Sequence, residues 1–282
     1  MTCIDTHSHL YGEEFDADRE EVVARARAAG VEKIFLPNIN AASVSPMLEM
    51  CRKYPGVCYP MIGLHPEDIQ DDWQQVLADM EQQLAQPGHP YIGIGEVGLD
   101  YYWDRSRYEE QQEVLRIQVE WALKYGLPLM IHTRSAHREL VNLLQQVFAN
   151  LKSPGNTSPA DPEPAHKPSR GAVSGVFHCF GGTADEAREL LAFDHFMLGI
   201  GGVLTFKKSP LPEVLRQTVP LERIVLETDS PYLAPVPQRG KRNESAFVIH
   251  VAEKLAEIYE VSKEYVCEIT SRNALGVFTK AR

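Results

Sequence analysis

The sequence lacks the features of a membrane or secreted protein. None of its apolar runs approaches the ~20 residues needed to cross a bilayer. The opening MTCIDTHSHL has no basic segment followed by a long apolar core, so we expect no secretory signal. The cysteines are an odd number without paired spacing: Cys3, Cys51, Cys58, Cys179 and Cys267. This usage favours reduced thiols in a cytoplasmic protein, and for Cys179 the role of a small buried residue.

Positive charge is also scarce, because 28 Lys and Arg residues stand against 39 Asp and Glu, which gives a net charge of -11. A protein that binds duplex DNA broadly is usually basic, so this balance argues against a nucleic-acid binding module. It argues less against an enzyme, because bound divalent cations reverse the field locally. With 282 residues, 44% of them hydrophobic, the chain is long enough to bury a large core in one domain.

Short apolar segments alternate with helical patterns along the whole chain. The apolar segments predict strands at 2–7, 33–38, 58–63, 91–96, 127–132, 174–178, 196–201 and 223–228. The periodic segments predict helices at 16–29, 43–54, 73–86, 108–125, 136–151, 183–193, 212–217, 244–259 and 262–278, with Ser43 as N-cap of the second. This alternation predicts an α/β fold, a closed (β/α)8 TIM barrel with residues 1–282 as a single domain. An open doubly wound sheet is the alternative.

One segment interrupts the alternation. Residues 153–171 carry five prolines, at positions 154, 159, 162, 164 and 168, and no hydrophobic period is visible among them. This composition is typical of an exposed, flexible loop. We therefore expect a proline-rich insertion between the fifth helix and the sixth strand, on the side of the barrel away from the ligands.

Six polar side chains follow apolar segments in the sequence: His7, His9, Glu96, His132, His178 and Asp229. Parallel strands direct their carboxyl ends to one face of a barrel, so residues distant in sequence can converge there. Imidazole and carboxylate groups together bind divalent ions such as Zn²⁺ or Mn²⁺. The set predicts a site for two ions about 4 Å apart, bridged by Glu96. The alternative is a group of hydrogen-bonded polar residues in loops above the barrel.

A series of ordered motifs resembles the TatD family of metal-dependent deoxyribonucleases, which lies within the amidohydrolase superfamily. The motifs are DTHSHL, GLHP, GEVGLDYY, HTRSA, HCFGG, ETDSPYLAP and RGKRNES, and the resemblance runs from about residue 4 to residue 278. It implies His7, His9, Glu96 and Asp229 as ligands of one ion, and Glu96, His132 and His178 as ligands of the other. Two departures are the long proline-rich segment and Ser135, which stands where members of the family often have an acidic residue.

The resemblance implies a 3′-to-5′ exonuclease that acts on single-stranded DNA, and on RNA as a further substrate, with two divalent ions. We expect hydroxide held between the ions to attack phosphorus while Asp229 takes its proton. His65, in GLHP, is expected by resemblance to face the scissile phosphate. The resemblance implies Mg²⁺ or Mn²⁺ as the working ion, whereas the His-rich donor set also suits Zn²⁺ or Ni²⁺.

Several residues beside the ligands are candidates for contacts with a nucleic-acid strand. Arg134 follows His132 by two positions, and Arg239, Lys241 and Arg242 form a basic loop after the eighth strand. Guanidinium groups match phosphate oxygens in pairs, although an ordinary solvated charge run is the alternative for this loop. In the segment 101–103, Tyr101 and its aromatic neighbours are candidates either for stacking on unpaired bases or for packing under the loop.

Other functions remain compatible with the same ligands. A small-molecule hydrolase acting on an amide, a lactone or a phosphoester uses the same ions to activate water. The basic loop at 239–242 favours a phosphate substrate over an amide or a lactone. A non-catalytic metal-binding protein would bind ions without hydrolysing any ester. The expected partner is single-stranded nucleic acid as substrate, with no membrane and with a monomeric chain.

Overall fold

A computed structural model of the protein describes residues 2–103, 106–151 and 173–282. The predicted proline-rich insertion at 153–171 lies outside the described residues. Among the described helices, none combines the length and apolar character that crossing a membrane requires.

Within these ranges the core of the molecule is an eight-stranded parallel sheet whose strands follow one another in chain order. The strands are β1 (Cys3–Asp5), β2 (Val31–Pro37), β3 (Cys58–Ile62), β4 (Gly93–Asp100), β5 (Leu129–Arg134), β6 (Gly175–Phe177), β7 (Phe196–Ile200) and β8 (Ile224–Leu226). The first and last strands meet through the Thr6 amide, which donates to the Leu226 carbonyl at 3.0 Å, and through a bridge between Ser8 and Ser230. The sheet therefore closes into the (β/α)8 barrel that the alternation predicted.

Helices fill the connections between the strands and cover the outside of the barrel. In the described part they are α1 (Arg19–Ala28), α2 (Ala41–Lys53), α3 (Trp73–Leu84), α4 (Tyr108–Tyr125), α5 (His137–Leu151), α6 (Ala184–Leu191), α7 (Leu211–Thr218), α8 (Val248–Tyr259) and α9 (Lys263–Val277). Helix α2 begins earlier than predicted. The N-cap is Asn40, whose side chain accepts from the Ser43 amide, while the Ser43 hydroxyl binds the Asn40 amide in return. The prediction of Ser43 as N-cap is therefore wrong, because Ser43 is the third residue of the helix and closes a capping box with Asn40.

Strand β4 extends further than its apolar segment indicated. It continues for four residues beyond Glu96 and ends at Asp100, so Glu96 lies inside the strand. Gly98 makes the extension possible, because at its φ of +154° a Cβ atom would approach the His132 carbonyl oxygen to 1.9 Å. Only glycine permits this contact between β4 and β5. The extension carries Asp100 to the same face of the barrel as His132.

The barrel interior is filled from both ends. Its lower half packs apolar side chains from six strands: Ile4, Phe35, Met61, Met130, Val176 and Val225. The C-terminal end of α9 closes this floor with Phe278, whose ring lies 5.1 Å from that of Phe35. Polar side chains occupy the opposite end of the barrel, and that end is the one open to a ligand.

A disulfide joins Cys3 in β1 to Cys267 in α9, with 4.9 Å between the Cα atoms. The prediction of five reduced thiols is therefore wrong for this pair, whereas Cys51, Cys58 and Cys179 are free. The spacing of the cysteines could not reveal the pair, because 264 positions separate them and only the packing of α9 beneath β1 brings them together.

Candidate metal centre

The six predicted ligands converge at the open end of the barrel. His7 and His9 follow β1, Glu96 lies in β4, and His132 lies in β5. His178 directly follows β6, and Asp229 lies three residues after the end of β8. Glu96 is in the middle, only 3% exposed, with both carboxylate oxygens facing imidazole nitrogens.

One oxygen of Glu96 faces the histidines of the first strand. Its Oε2 lies 3.1 Å from His7 Nε2 and 3.4 Å from His9 Nε2. Both of these nitrogens lie 3.7 Å from Oδ1 of Asp229. Four donor atoms from three separate segments thus surround one point.

The second oxygen of Glu96 faces a different group of histidines. Its Oε1 lies 3.1 Å from His178 Nε2 and 3.2 Å from His132 Nδ1. His65, which we expected to face substrate, brings Nε2 to 3.4 Å from the same oxygen. A single carboxylate therefore separates two clusters of donors, which is the arrangement expected of a bridging ligand.

Buried acceptors set the orientation of these imidazoles. Asp100 Oδ2 accepts from His132 Nε2 at 2.8 Å, which leaves the Nδ1 lone pair directed at Glu96. The Tyr11 hydroxyl donates to the Pro37 carbonyl and so accepts from His9 Nδ1, which directs His9 Nε2 towards Glu96 and Asp229. Such partners fix the tautomer and raise the basicity of a metal-binding imidazole.

Two further carboxylates support the centre from below. Glu227 Oε1 lies 3.4 Å from His178 Nδ1 and accepts from the Cys179 amide. Asp5 accepts from both the amide and the hydroxyl of Thr228, at 2.9 and 2.7 Å, and burial raises its pKa to about 7. These bonds tie β1 to the segment that carries Asp229.

Sequence reasoning missed Tyr11, Asp100 and Glu227 as supporting residues. Each stands within four positions of a predicted ligand, in DTHSHLY, GEVGLD and ETD respectively. A polar or phenolic side chain so close in sequence to a buried ligand is the signal that could have indicated these supporting residues. The missing knowledge was the strand extension and the orientation of each side chain.

The centre is electrostatically prepared for positive charge. Burial opposes ionisation of Glu96, but the imidazoles of His7, His65 and His178 lower its pKa well below the usual range. Burial also opposes ionisation of Asp229, but the imidazoles of His9, His178 and His7 together lower its pKa. Two ionised carboxylates thus lie within one cluster of imidazoles.

The donor set fits divalent ions. One group of atoms within 4.8 Å of one another comes from His7, His9 and Asp229, and another from His65, Glu96 and His132. A third overlapping group includes Glu227, whose buried Oε2 has no hydrogen-bond partner among the described residues. Mixed imidazole and carboxylate sites of this kind suit Zn²⁺, Mn²⁺ and related ions.

Comparison with known proteins matches this geometry to a family. The sequence model of the family described as TatD related DNase matches residues 4–279. The chain belongs to the TatD family. It is therefore a metal-dependent hydrolase, and the family expected from the motifs is confirmed.

Relatives of this TatD protein include both named nucleases and hydrolases without an assigned substrate. An uncharacterised metal-dependent hydrolase of Bacillus subtilis, YabD, is 37% identical over 274 residues, which are 97% of this chain and 98% of that protein. A 3′-5′ ssDNA/RNA exonuclease TatD of Edwardsiella piscicida is 30% identical, over 99% of this chain and the full length of that protein.

Solved structures share the fold of this TatD protein. The TatD homologue YjjV of Escherichia coli superposes with a TM-score of 0.83 at 26% identity, over 98% of both chains. An amidohydrolase of Saccharomyces cerevisiae superposes with a TM-score of 0.77 at 20% identity, over 99% of this chain and all of its own, and shows the fold alone.

Tyr101 does not occupy the position expected of a substrate contact in this TatD protein. It is 3% exposed, its ring stacks on Tyr108 at 3.7 Å, and its hydroxyl accepts from Gln112. This burial favours the alternative of packing under the loop, and a contact between Tyr101 and a strand stays a prediction. Its neighbours Tyr102 and Trp103 are the exposed pair, at 53% and 69%.

Arg134 joins this exposed aromatic pair. Its guanidinium carbon lies 3.9 Å from the ring centre of Tyr102 and 5.3 Å from that of Trp103. The backbone of Arg134 is held as well, since its carbonyl accepts from the Tyr101 amide. The charge and two aromatic faces thus form one exposed patch beside His132.

The basic loop after β8 divides into two parts. Arg239 and Lys241 are exposed, with Arg239 lying over the Phe206 ring at 4.0 Å. Arg242 instead donates to the Glu14 carbonyl and to Asp18 Oδ2, the latter at 2.8 Å. These bonds hold the loop against the segment before α1, so they favour an anchoring role for Arg242 over the expected contact with phosphate, which stays a prediction.

Proposed function

We propose that this TatD protein is a 3′-to-5′ exonuclease of single-stranded DNA, and of RNA as a second substrate. The observation that carries the proposal is the position of Glu96, which offers one carboxylate oxygen to each of two clusters of donors. A pair of such sites suits in-line displacement at phosphorus. The similarity to a protein named as a 3′-5′ ssDNA/RNA exonuclease supports the polarity and the substrate.

The chain would hold two divalent ions through its predicted ligands. His7, His9 and Asp229 would bind one ion, and His132 and His178 the other, with Glu96 between them. When bound, such ions neutralise charge on the phosphate and lower the pKa of water. We propose Mg²⁺ or Mn²⁺ as the working ion, with Zn²⁺ or Ni²⁺ as ions that the purified protein would also retain.

The residues around the ions would guide the reaction. Asp229, charged and 3.7 Å from His7 and His9, would accept the proton of the attacking water. The water oxygen forms a bond to phosphorus, and the bond from phosphorus to the 3′ oxygen of the strand breaks. His65, whose Nε2 lies beside Glu96, would donate a hydrogen bond to the phosphate or a proton to the departing oxygen.

Two exposed patches on opposite sides of the centre would receive the strand. Arg134, Tyr102 and Trp103 lie beside the His132 side, and unpaired bases stack on aromatic faces of this kind. Arg239 and Lys241 extend the other side with positive charge for phosphates. Because the net charge of the chain is -11, binding is expected to depend on these local groups.

The proposal is tested with end-labelled, linear, single-stranded DNA in the presence of Mg²⁺ or Mn²⁺. We expect stepwise loss of nucleotides from the 3′ end, no cleavage of closed circular single strands, and loss of activity in Glu96→Ala. Turnover of lactones or amides without cleavage of any nucleic acid would assign the centre to a small-molecule hydrolase instead. Metal binding without hydrolysis of any ester would contradict both.

We also propose that a monomer of this single barrel acts in the cytoplasm. The closed sheet and the metal centre both lie within one barrel, which supports one functional unit. Reducing compartments rarely preserve a disulfide such as Cys3–Cys267. A reduced pair in cell extracts would therefore support the cytoplasm, and an intact bond would contradict it. Fractionation followed by immediate alkylation, with light scattering of the purified protein, tests both proposals.

A further inference from the structure

A cavity of about 530 Å³ lies between the loops that follow β5 and β6. Its volume is in the range of about 300–1,000 Å³ typical of sites for small ligands. Apart from His178, the buried side chains that line it are apolar: Ile131, Leu140, Phe177, Phe180 and Leu190. The exposed residues that line it are polar: Arg134, Ser135, Arg138 and Glu139. An apolar floor under a polar rim is the lining expected around a ring-shaped ligand with polar edges.

This cavity is continuous with the metal centre. His178 lines it, and the Nε2 atom of the same residue lies 3.1 Å from Glu96. Arg134 lines it too and connects it with the exposed aromatic pair Tyr102 and Trp103. A ligand in the cavity would therefore contact His178, the same residue that would hold an ion beside Glu96.

The opposite side of the centre is differently built. Tyr232 is 55% exposed, with its ring 6.3 Å from that of His9, and Arg239 and Lys241 follow on the open surface. One side of the phosphate site is thus a bounded cavity, and the other is an exposed surface that sets no limit on the length of a strand.

We propose that the cavity between the β5 and β6 loops binds the nucleoside of the terminal nucleotide, with the base between the apolar floor and the rim at Arg134, Tyr102 and Trp103. The inference rests on the proposed nuclease function. The 5′-phosphate of that nucleotide would lie at Glu96, and the rest of the strand would leave across Tyr232 and Arg239. A cavity of this size has room for one nucleoside, so cleavage would release a single nucleotide from a free end.

Gly181 provides a way to fill the cavity without disturbing the fold. It lines the cavity, and a Cβ atom built on it meets no atom closer than 4.0 Å, whereas one on Gly182 would approach Glu186 Oε2 to 2.6 Å. Gly181→Leu and Gly181→Trp therefore add increasing volume. Gly276→Trp is the matched control. A Cβ atom at Gly276 also has no neighbour within 4 Å among the described residues, and Gly276 lines a separate cavity bounded by Thr2 and Arg282.

The substrates are thymidine 5′-(p-nitrophenyl phosphate), which carries a nucleoside, and methyl p-nitrophenyl phosphate, which does not. In each, water attacks phosphorus and p-nitrophenolate leaves, so the chemistry is shared. We expect Gly181→Trp to lower kcat/KM for the thymidine ester by about tenfold or more, and Gly181→Leu to lower it less. Neither variant should change kcat/KM for the methyl ester by more than about twofold. Gly276→Trp should leave both values unchanged.

Inhibition of the unaltered protein gives a second test that does not depend on a variant. We expect thymidine 5′-monophosphate to inhibit hydrolysis of the methyl ester at about tenfold lower concentration than deoxyribose 5-phosphate, since only the former carries a base. Equal inhibition by the two compounds, or equal loss for both substrates in Gly181→Trp, would overturn the terminal-nucleoside site. Failure of the unaltered protein to cleave either ester or DNA would instead overturn the nuclease function itself.

Discussion

Glu96 shows how much one residue can decide at this centre. Its two oxygens approach five imidazoles within 3.1–3.4 Å, and no other side chain in the described residues contacts both donor clusters in this way. The sequence predicted its proximity to the histidines because each follows an apolar strand. It could not predict which oxygen faces which imidazole, since that depends on the extension of β4 through Gly98.

The role of His132 can be separated from a structural role. We expect His132→Ala to lower metal occupancy and activity together, by about 10–100-fold, because it removes one donor of the second cluster. The fold should be retained, since the imidazole lies at the open end of the barrel and outside the apolar floor. Elemental analysis, activity and circular dichroism measure the three quantities. An unfolded variant would show that His132 is structural.

The residues Tyr101 and Trp103 give a matched comparison of burial and exposure. We expect Tyr101→Ala to destabilise the protein by about 3 kcal/mol, because it empties a buried site. Trp103→Ala should leave stability almost unchanged but raise the KM for single-stranded DNA by about tenfold, through loss of a stacking face. Chemical denaturation and steady-state kinetics check the two results, and reversal of the pattern would contradict the assignment.

At the scale of elements, the loop after β8 combines a surface contact with an anchor. Arg242 and Arg25 both bind Asp18, and Arg25 also donates to Glu244, so α1 and this loop form one network. The bond from Arg242 is the main reason that the pKa of Asp18 falls to about 2. A position that reads as a basic run in the sequence is therefore divided between two functions by tertiary contacts.

The two functions predict different effects for neighbouring arginines. We expect Arg239→Ala to weaken binding of single strands and to reduce the slope of log affinity against log salt by about 0.7, the value for one phosphate contact. Arg242→Ala should leave this slope unchanged and lower the melting temperature. Fluorescence anisotropy across a salt series and thermal melting distinguish them. A changed slope in Arg242→Ala would contradict its role as an anchor.

The same network predicts a dependence of stability on pH. Because the folded pKa of Asp18 lies below its ordinary value of 3.8, its contribution is complete above about pH 4 and is lost as the pH falls towards 2. We expect Asp18→Asn to lower the melting temperature at pH 6 and to make little difference at pH 2. Thermal melts of both proteins across this range measure the difference, and an equal difference at every pH would contradict the pairing.

At the scale of the whole molecule, the alternation of strands and helices was sufficient to predict the barrel, because burial on both faces leaves a continuous apolar signature. Helix α4 matches its predicted bounds, Tyr108–Tyr125, since periodicity and Gly126 define it locally. The disulfide and the supporting carboxylates were not predictable in the same way. Each depends on residues that meet only after the sheet has closed.

The Cys3–Cys267 bond predicts the number of reactive thiols in the intact protein. We expect alkylation of the denatured, unreduced protein to modify three cysteines, and all five after reduction. In the folded protein Cys51 should react slowly, because burial raises its pKa to about 12. Mass spectrometry counts the added groups. Five modified cysteines without reduction would show that the pair is not joined.

The same bond has a consequence for a broken chain. It connects positions 3 and 267, so a single cut of the backbone anywhere between them leaves two fragments that remain one covalent molecule. A nicked protein would migrate as separate pieces in a gel only after a reducing agent is added. Because β1 and α9 stay tethered to each other, the two fragments would keep the first strand and the last helix together while the barrel reassembles.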